Sequence, residues 1–240
     1  MKWLKLFICV AVFISPSLTL HAQQVEIIKQ SSFNPPATGR YFNFIEPSSD
    51  STAFTFVATI RVTDENGKYG FGKLYSKLKE KAMSLGANAF KLNNYTRADS
   101  VNAEALTLDT YFATYGRIIE NAKNHPMNTV YIFGNPDKSG KDVSFRLNNK
   151  KMEVKGGTYY KYEIPQEKEA KISKGGLTGA TLWITWKENK PASFLTLTGF
   201  GLGNVQPPVG QVGISFGTGR INRMDENMGY LLISLLSVSD

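Results

Sequence analysis

The stretch Lys73–Tyr95, KLYSKLKEKAMSLGANAFKLNNY, decides the fold, because it predicts a helix, a glycine stop and a strand in succession. Its apolar residues recur at helical spacing and form one stripe: Leu74, Leu78, Ala82 and Leu85. Gly86 follows that stripe at the place where a helix commonly ends in a left-handed residue. Phe90 and Leu92 then alternate with polar residues, as in a half-buried strand. The stretch therefore predicts a helix that packs on the strand that follows it.

Strands are predicted on both sides of this stretch. Arg40–Ile45 is rich in aromatic residues, and Ala53–Val62 alternates apolar with polar or charged side chains. Leu106–Ile119 is a long aromatic and β-branched run that predicts a further strand. The order predicts an α+β domain at residues 23–120, a small ββαββ unit with one amphipathic helix on a sheet.

The end of the helix resembles a known sequence pattern. A helix that ends in Ala-x-x-x-Gly-Ala-Asn/Asp-Ala before a strand is typical of YbjQ/RcsF-like envelope domains. The matching residues here are Ala82, Gly86, Ala87, Asn88 and Ala89. The resemblance covers about residues 41–119 and implies the fold, together with a possible role as an envelope stress sensor that a partner protein reads. It implies no ligand, because this sequence has no cysteine or histidine cluster.

Residues 121–128 are polar and include a proline, so we interpret them as a linker. Beyond them, short strands separated by glycine and asparagine turns predict an antiparallel β-sandwich domain at 129–240. The part at about Thr129–Leu182 is similar to sandwich modules of bacterial secreted proteins. Seven glycines within Gly199–Gly219 predict a loop, which either lies on the surface or covers a ligand.

The N-terminus reads as a signal peptide at residues 1–22, with a basic start, a short apolar run and cleavage near Ala22–Gln23. We therefore expect a periplasmic or extracellular protein without a transmembrane helix in the mature chain, since spanning a bilayer takes about 20 apolar residues. Cleavage removes Cys9, the single cysteine, so the mature chain has no disulfide. The formal net charge of +8 is spread along the chain, which does not favour a nucleic-acid partner.

Motifs for catalysis and metal binding are incomplete. Gly213–Gly217 matches the GxSxG nucleophile elbow around Ser215, but no histidine follows it, and His125 is the single histidine of the mature chain. Ser76–Lys79 matches SxxK without the partner motifs that a β-lactamase-like site needs. One histidine and no thiol do not make a zinc site. We predict no catalytic residue, metal or cofactor.

Aromatic residues form the most suggestive set for ligand binding. They could stack on sugar rings or a peptide, or they could pack in the core: Tyr159, Tyr160, Tyr162, Trp183 and Trp186. Trp183 and Trp186 are three residues apart and so point to opposite faces of a strand, which places at least one of them in the core.

These observations favour a secreted or periplasmic, non-catalytic binding or scaffold protein of the cell envelope, whose partner is an envelope protein or a glycan. The alternative is a glycan-active hydrolase that uses carboxylates in a cleft between the two domains. A pocket in which His125 met an ionised acid and an activated hydroxyl would contradict the non-catalytic interpretation.

Overall fold

The computed structural model describes residues 24–36, 41–65, 70–97, 103–135, 140–175, 179–197 and 221–239. The first elements are β1 (Gln24–Gln30), β2 (Asn43–Phe44), a 3-10 turn (Ser51–Ala53), β3 (Thr55–Asp64), α1 (Gly70–Ser84), β4 (Ala89–Thr96), β5 (Glu104–Phe112) and α2 (Tyr115–Ala122). The remaining elements are β6 (Thr129–Phe133), β7 (Val143–Leu147), β8 (Lys150–Val154), β9 (Thr158–Glu163), β10 (Glu169–Lys174), β11 (Ala180–Thr185), β12 (Ser193–Thr196), β13 (Asn222–Arg223), α3 (Glu226–Leu235) and β14 (Ser237–Val238). The predicted mixture of helices with a large share of strand is confirmed.

The first sheet has the strand order β1-β3-β5-β4-β2, and α1 packs on one of its faces. Leu74, Leu78 and Ala82 are fully buried, so the predicted apolar stripe is the packed face of the helix. Gly86 has a φ of +81°, and the Ala87 amide donates to the Ala82 carbonyl at 3.0 Å. Both features belong to a helix that ends in a left-handed residue, which confirms the predicted glycine stop.

The segment expected to be one long strand, Leu106–Ile119, divides into β5 and α2. Strand pairing ends at Phe112, where β5 runs out of partners on β3 and β4. The Asn88 side chain then bonds both the amide and the carbonyl of Ala113, at 2.7 and 2.8 Å, and so completes the strand end. The following amides bond back to the Thr114 carbonyl and start the helix. Aromatic and β-branched residues favour strands, so the composition of this segment did not predict the turn into α2.

Two further sheets pack face to face. The middle sheet has the order β13-β12-β6-β9-β14, and the outer sheet has the order β11-β10-β7-β8. The outer sheet is antiparallel, but β12 pairs with β6 and β14 pairs with β9 in parallel. These two pairs differ from the antiparallel arrangement expected from the sequence. Parallel neighbours need long connections, and β12 and β14 are both far along the chain from their partners.

One hydrophobic cluster joins both halves of the chain. It contains residues of α1 and the first sheet together with Tyr131, Phe133 and Phe194 of the middle sheet and Tyr230 of α3. A second cluster fills the space between the middle and outer sheets. The stretch predicted to be a linker, 121–128, is held by hydrogen bonds between Asn128 and the chain at Lys187–Lys190. The division into two domains stays a prediction.

The predicted signal peptide and the glycine-rich segment 199–219 lie outside the described residues. Within the described ranges, no helix has both the length and the hydropathy that crossing a bilayer requires.

Candidate functional site

A cavity lies where the first sheet, the turn after α2, the middle sheet and α3 meet. Its volume is about 300 Å³. Its walls are mostly apolar or aromatic, with a few polar groups, and are formed by Phe44, Glu46, Pro47, Asn124, Pro126, Tyr131, Tyr230, Ile233 and Ser234. We call this cavity the central pocket. Segments that are distant in sequence build it, so it exists only in the folded chain.

An imidazole and a carboxyl group meet beside the central pocket. His125 Nε2 lies 3.2 Å from Glu46 Oε1, and the two side chains are 9% and 21% exposed. The approach does not have hydrogen-bond geometry, so Nε2 has no hydrogen-bond partner among the described residues. The pair therefore combines close contact with an unused hydrogen-bonding atom.

Tyr230 connects this pair to the pocket wall. Its ring lies against His125 with centroids 4.0 Å apart and meets Phe194 edge-on at 4.8 Å. Its buried hydroxyl makes no hydrogen bond of standard geometry within the described part of the chain, but the nearby Glu226 carboxyl contributes to raising the pKa of this tyrosine. Tyr230 therefore belongs both to the pocket wall and to the buried polar groups beside it.

Two asparagines fix the loop that carries Glu46. Asn121, buried in α2, donates to the Phe44 carbonyl at 2.8 Å and accepts from the Glu46 amide at 3.0 Å. Asn227 of α3 accepts from the Phe44 amide at 2.8 Å. One wall of the pocket is therefore clamped from two helices, and Glu46 is held at a defined position.

The helix α3, which carries Tyr230, is anchored at its first turn. Asp225 caps the helix by accepting from the Met228 amide at 3.1 Å, and Lys79 of α1 lies 3.8 Å from the same carboxylate. Gly229 packs directly on Phe194, because a Cβ at this position would lie 2.2 Å from the ring. These contacts set the distance between α3 and the middle sheet, and with it the width of the pocket.

Burial favours the uncharged form of each ionisable group around the pocket. It raises the pKa of the Glu46 carboxyl and lowers the pKa of the His125 imidazole. Burial, with smaller contributions from Tyr159 and nearby acids, raises the pKa of Tyr131 to about 12. Burial and the nearby Glu226 raise the pKa of Tyr230 further. Burial therefore works against charge on each of these groups.

The hydroxyl groups of the pocket are not arranged as nucleophiles. A nucleophilic hydroxyl needs an adjacent base or a lowered pKa, and the pKa values of both tyrosines move in the opposite direction. Ser234 donates to the carbonyl of Leu231 in its own helix at 2.6 Å. The geometry suits hydrogen bonding and apolar contact with a bound molecule.

Comparisons with known proteins gave no assignment. No protein-family model matches the chain, and neither curated proteins nor solved structures gave a match. The resemblances to YbjQ/RcsF-like domains and to secreted sandwich modules stay predictions.

The five aromatic residues predicted as a ligand platform do not share one surface. Tyr159 is buried on the α3 side of the middle sheet. Tyr160, Tyr162 and Trp186 pack between the middle and outer sheets. Trp183 is 53% exposed on the far face of the outer sheet. A role for these residues in ligand binding stays a prediction, and Trp183 is the member whose ring is accessible.

Other predicted features are placed as follows. Ser76 of the SxxK match is exposed on α1, while Ser215 of the GxSxG match lies outside the described residues. Among the residues that the structure describes, no group of three or more His, Cys, Asp or Glu side chains could hold a metal ion.

Sequence reasoning identified His125 only as an isolated histidine and did not identify Glu46, Tyr131 or Tyr230. The available signal was weak, because Glu46 stands in a polar loop and both tyrosines stand in apolar runs typical of core.

Proposed function

We propose that this chain is a non-catalytic binding protein of the bacterial cell envelope, and that the central pocket binds a small, uncharged, largely apolar ligand. The observation that carries the proposal is a largely apolar cavity of about 300 Å³ whose wall holds few polar groups, among them Glu46 and Tyr230. Ligand cavities in proteins begin at about this volume and combine apolar walls with a few polar groups.

The preference for a neutral ligand follows from the charges. None of the lining residues is a lysine or arginine, so an anion would find no positive partner in the wall. Burial raises the pKa of Glu46, the one carboxyl group in the wall, which lowers the ionised fraction that a cation could pair with. A ligand hydroxyl or amide would find hydrogen-bonding groups in the wall at Glu46, Asn124 and Tyr230.

The rival hydrolase draws less support from the same pocket. A glycosidase generally needs two carboxyl groups on opposite sides of the scissile bond. Glu46 is the one carboxyl group among the lining residues. This favours binding over bond cleavage as the function of the pocket.

Two broader predictions belong to the proposal. The first is export, with cleavage near Ala22–Gln23, which cell fractionation and N-terminal sequencing of the mature protein test. The second is the arrangement of an α+β domain before a β-sandwich, with the ligand held where the two meet.

The binding test uses two fluorescent probes with the same anilinonaphthalene skeleton. N-phenyl-1-naphthylamine is uncharged, whereas 8-anilinonaphthalene-1-sulfonate carries one negative charge. We expect saturable 1:1 binding of the neutral probe to the mature protein, and weaker binding of the sulfonate, because none of the described lining residues is a lysine or arginine that could pair with it.

Substitution of Ser234 locates the site. Ser234→Phe puts a large ring at the pocket wall and should abolish binding of the neutral probe. Ser76→Phe makes the same change on an exposed position of α1, away from the pocket, and should leave binding intact. Equal binding by both variants, or tighter binding of the sulfonate than of the neutral probe, would contradict the proposal.

A further inference from the structure

The outer face of the outer sheet is an exposed surface with a regular layout. The apolar side chains of its strands point inward, where Phe145, Ile172 and Ile184 pack against the middle sheet. The alternate residues point outward and are partly or fully exposed: Ser144, Arg146, Lys151, Glu153, Glu169, Lys171, Ser173, Thr181, Trp183 and Thr185. We call this surface the outer face.

Strand register places the positive charges together in the centre of the outer face. Arg146 is directly opposite Lys151, and Arg146 is opposite Ser173 on its other side. Lys171 lies two residues from Ser173 on β10 and directly opposite Trp183 on β11. Three cations and one tryptophan therefore occupy two neighbouring rows, of which the row with Arg146 and Lys151 crosses all four strands, a width of about 14 Å at the usual strand spacing.

The acidic residues lie outside these rows. Glu153 is opposite Ser144 in the row on one side, and Glu169 is opposite Thr185 in the row on the other. Within the described part of the chain, Arg146, Lys151 and Lys171 form no ion pair with a carboxylate. Like charges directly opposite each other on neighbouring strands are destabilising, so the outer face holds positive charge that an anionic partner would compensate.

Trp183 adds a second kind of contact. Its ring is 53% exposed, and the Lys171 ammonium lies 5.9 Å from the ring centre. An exposed aromatic ring stacks on the apolar face of a sugar, while neighbouring Ser173 and Thr181 offer hydroxyls to sugar hydroxyl groups. Binding of single-stranded nucleic acid typically uses several aromatic rings for successive bases, and the outer face has one.

We propose that the outer face binds an acidic polysaccharide, with Trp183 stacked on a sugar ring and Lys171, Arg146 and Lys151 paired with the carboxylates of the glycan. This site is separate from the central pocket, and its occupant is a charged polymer instead of a small neutral molecule.

The test measures binding of polygalacturonate to the mature protein by calorimetry, with neutral dextran and a single-stranded DNA oligomer as comparison ligands. We expect binding of polygalacturonate that weakens between about 50 and 200 mM salt, because charge pairing with a polyanion releases counterions. Dextran should bind far more weakly, since it has no carboxylates.

The variant Arg146→Gln/Lys151→Gln should lower the affinity for polygalacturonate by about tenfold or more, because it removes two of the three cations that pair with the carboxylates. Trp183→Ala should also weaken binding, but without changing its salt dependence. The control Lys73→Gln/Lys77→Gln removes the same charge from exposed positions of α1 and should change affinity less than twofold, roughly the error of such measurements. Thermal unfolding of each variant checks that it is folded.

Three results would overturn the proposal: no binding of polygalacturonate by the unmodified mature protein, an equal loss in the α1 control, or tighter binding of the DNA oligomer than of polygalacturonate. Probe binding to the central pocket is measured separately, so failure of one site leaves the result for the other intact.

Discussion

The packing of α3 on the middle sheet can be tested with one added methyl group. Gly229 lies in the helix, and a Cβ there would stand 2.2 Å from Phe194 Cδ1, 2.3 Å from its Cγ and 2.9 Å from its Cβ. The nearest atoms belong to the base of a rigid ring that is itself in contact with Tyr131 and Tyr230. Gly229→Ala therefore forces α3 or Phe194 to move.

Two opposing effects set the size of the change. Alanine is a better helix former than glycine by about 0.8–1 kcal/mol, which stabilises the folded state. Overpacking a filled core costs about 1–3 kcal/mol. Gly116→Ala is a matched control, because Gly116 also lies in the first turns of a helix but has nothing within 4 Å of its added Cβ. The gain from propensity is similar in both variants, so their difference in unfolding free energy should equal the packing cost, about 1–3 kcal/mol.

Urea unfolding of the mature protein and the two variants measures this difference. Gly116→Ala should be as stable as the unmodified protein or more stable, and the unfolding free energy of Gly229→Ala should be about 1–3 kcal/mol lower than that of Gly116→Ala. Binding of N-phenyl-1-naphthylamine should also weaken in Gly229→Ala, because displacement of α3 changes the pocket. Equal stabilisation of both variants would refute the close contact between α3 and Phe194.

Three further predictions follow from single contacts. Gly86→Ala should lower the unfolding free energy by about 1–3 kcal/mol, because Gly86 has a positive φ and its Cβ would lie 2.3 Å from Pro35, and a Pro35→Ala background should recover only the part due to the clash. Asn121→Ala leaves the buried Phe44 carbonyl without its side-chain donor and should cost about 2–4 kcal/mol in urea unfolding; an unchanged midpoint would argue against the clamp. Because burial lowers the folded-state pKa of His125, the unfolded chain takes up the proton more readily, so stability should fall as the pH drops from about 7 through the ordinary histidine pKa of about 6.5. His125→Gln should remove this part of the pH dependence, and an unchanged profile would show that His125 does not titrate differently in the two states.

Local features of the first half were predictable because they depend on neighbouring residues. The stripe of Leu74, Leu78 and Ala82 requires a helix with one buried face, and Gly86 provides the left-handed residue that ends it. The alternation of apolar and polar residues around Phe90 predicts a strand with one buried face, and Phe90 is buried in β4. Such patterns predict a helix or a strand correctly, whichever other element covers its apolar face.

The helices α2 and α3 were harder to predict. The run around Tyr111 and Ile118 has strand-like composition, yet strand pairing ends at Phe112 and the chain turns into α2. Gly229–Val238 is mostly apolar, which by itself does not separate a buried strand from a buried helix. Packing of Gly229 on Phe194 and capping by Asp225 place α3 there.

By itself, the sequence determined the sheet-rich α+β class, the helix that ends at Gly86 and the presence of a single histidine and no cysteine beyond residue 22. Tertiary structure alone decided that His125 meets Glu46, that the Tyr230 ring packs against the imidazole and that Trp183 lies on the same sheet face as Lys171, Arg146 and Lys151. The physical reason is that the periodicity of the side chains shows which face of a strand or helix is apolar. Which other element covers that face depends on long-range packing. A binding site assembled from several such elements is therefore encoded in the chain without being visible in any one stretch of it.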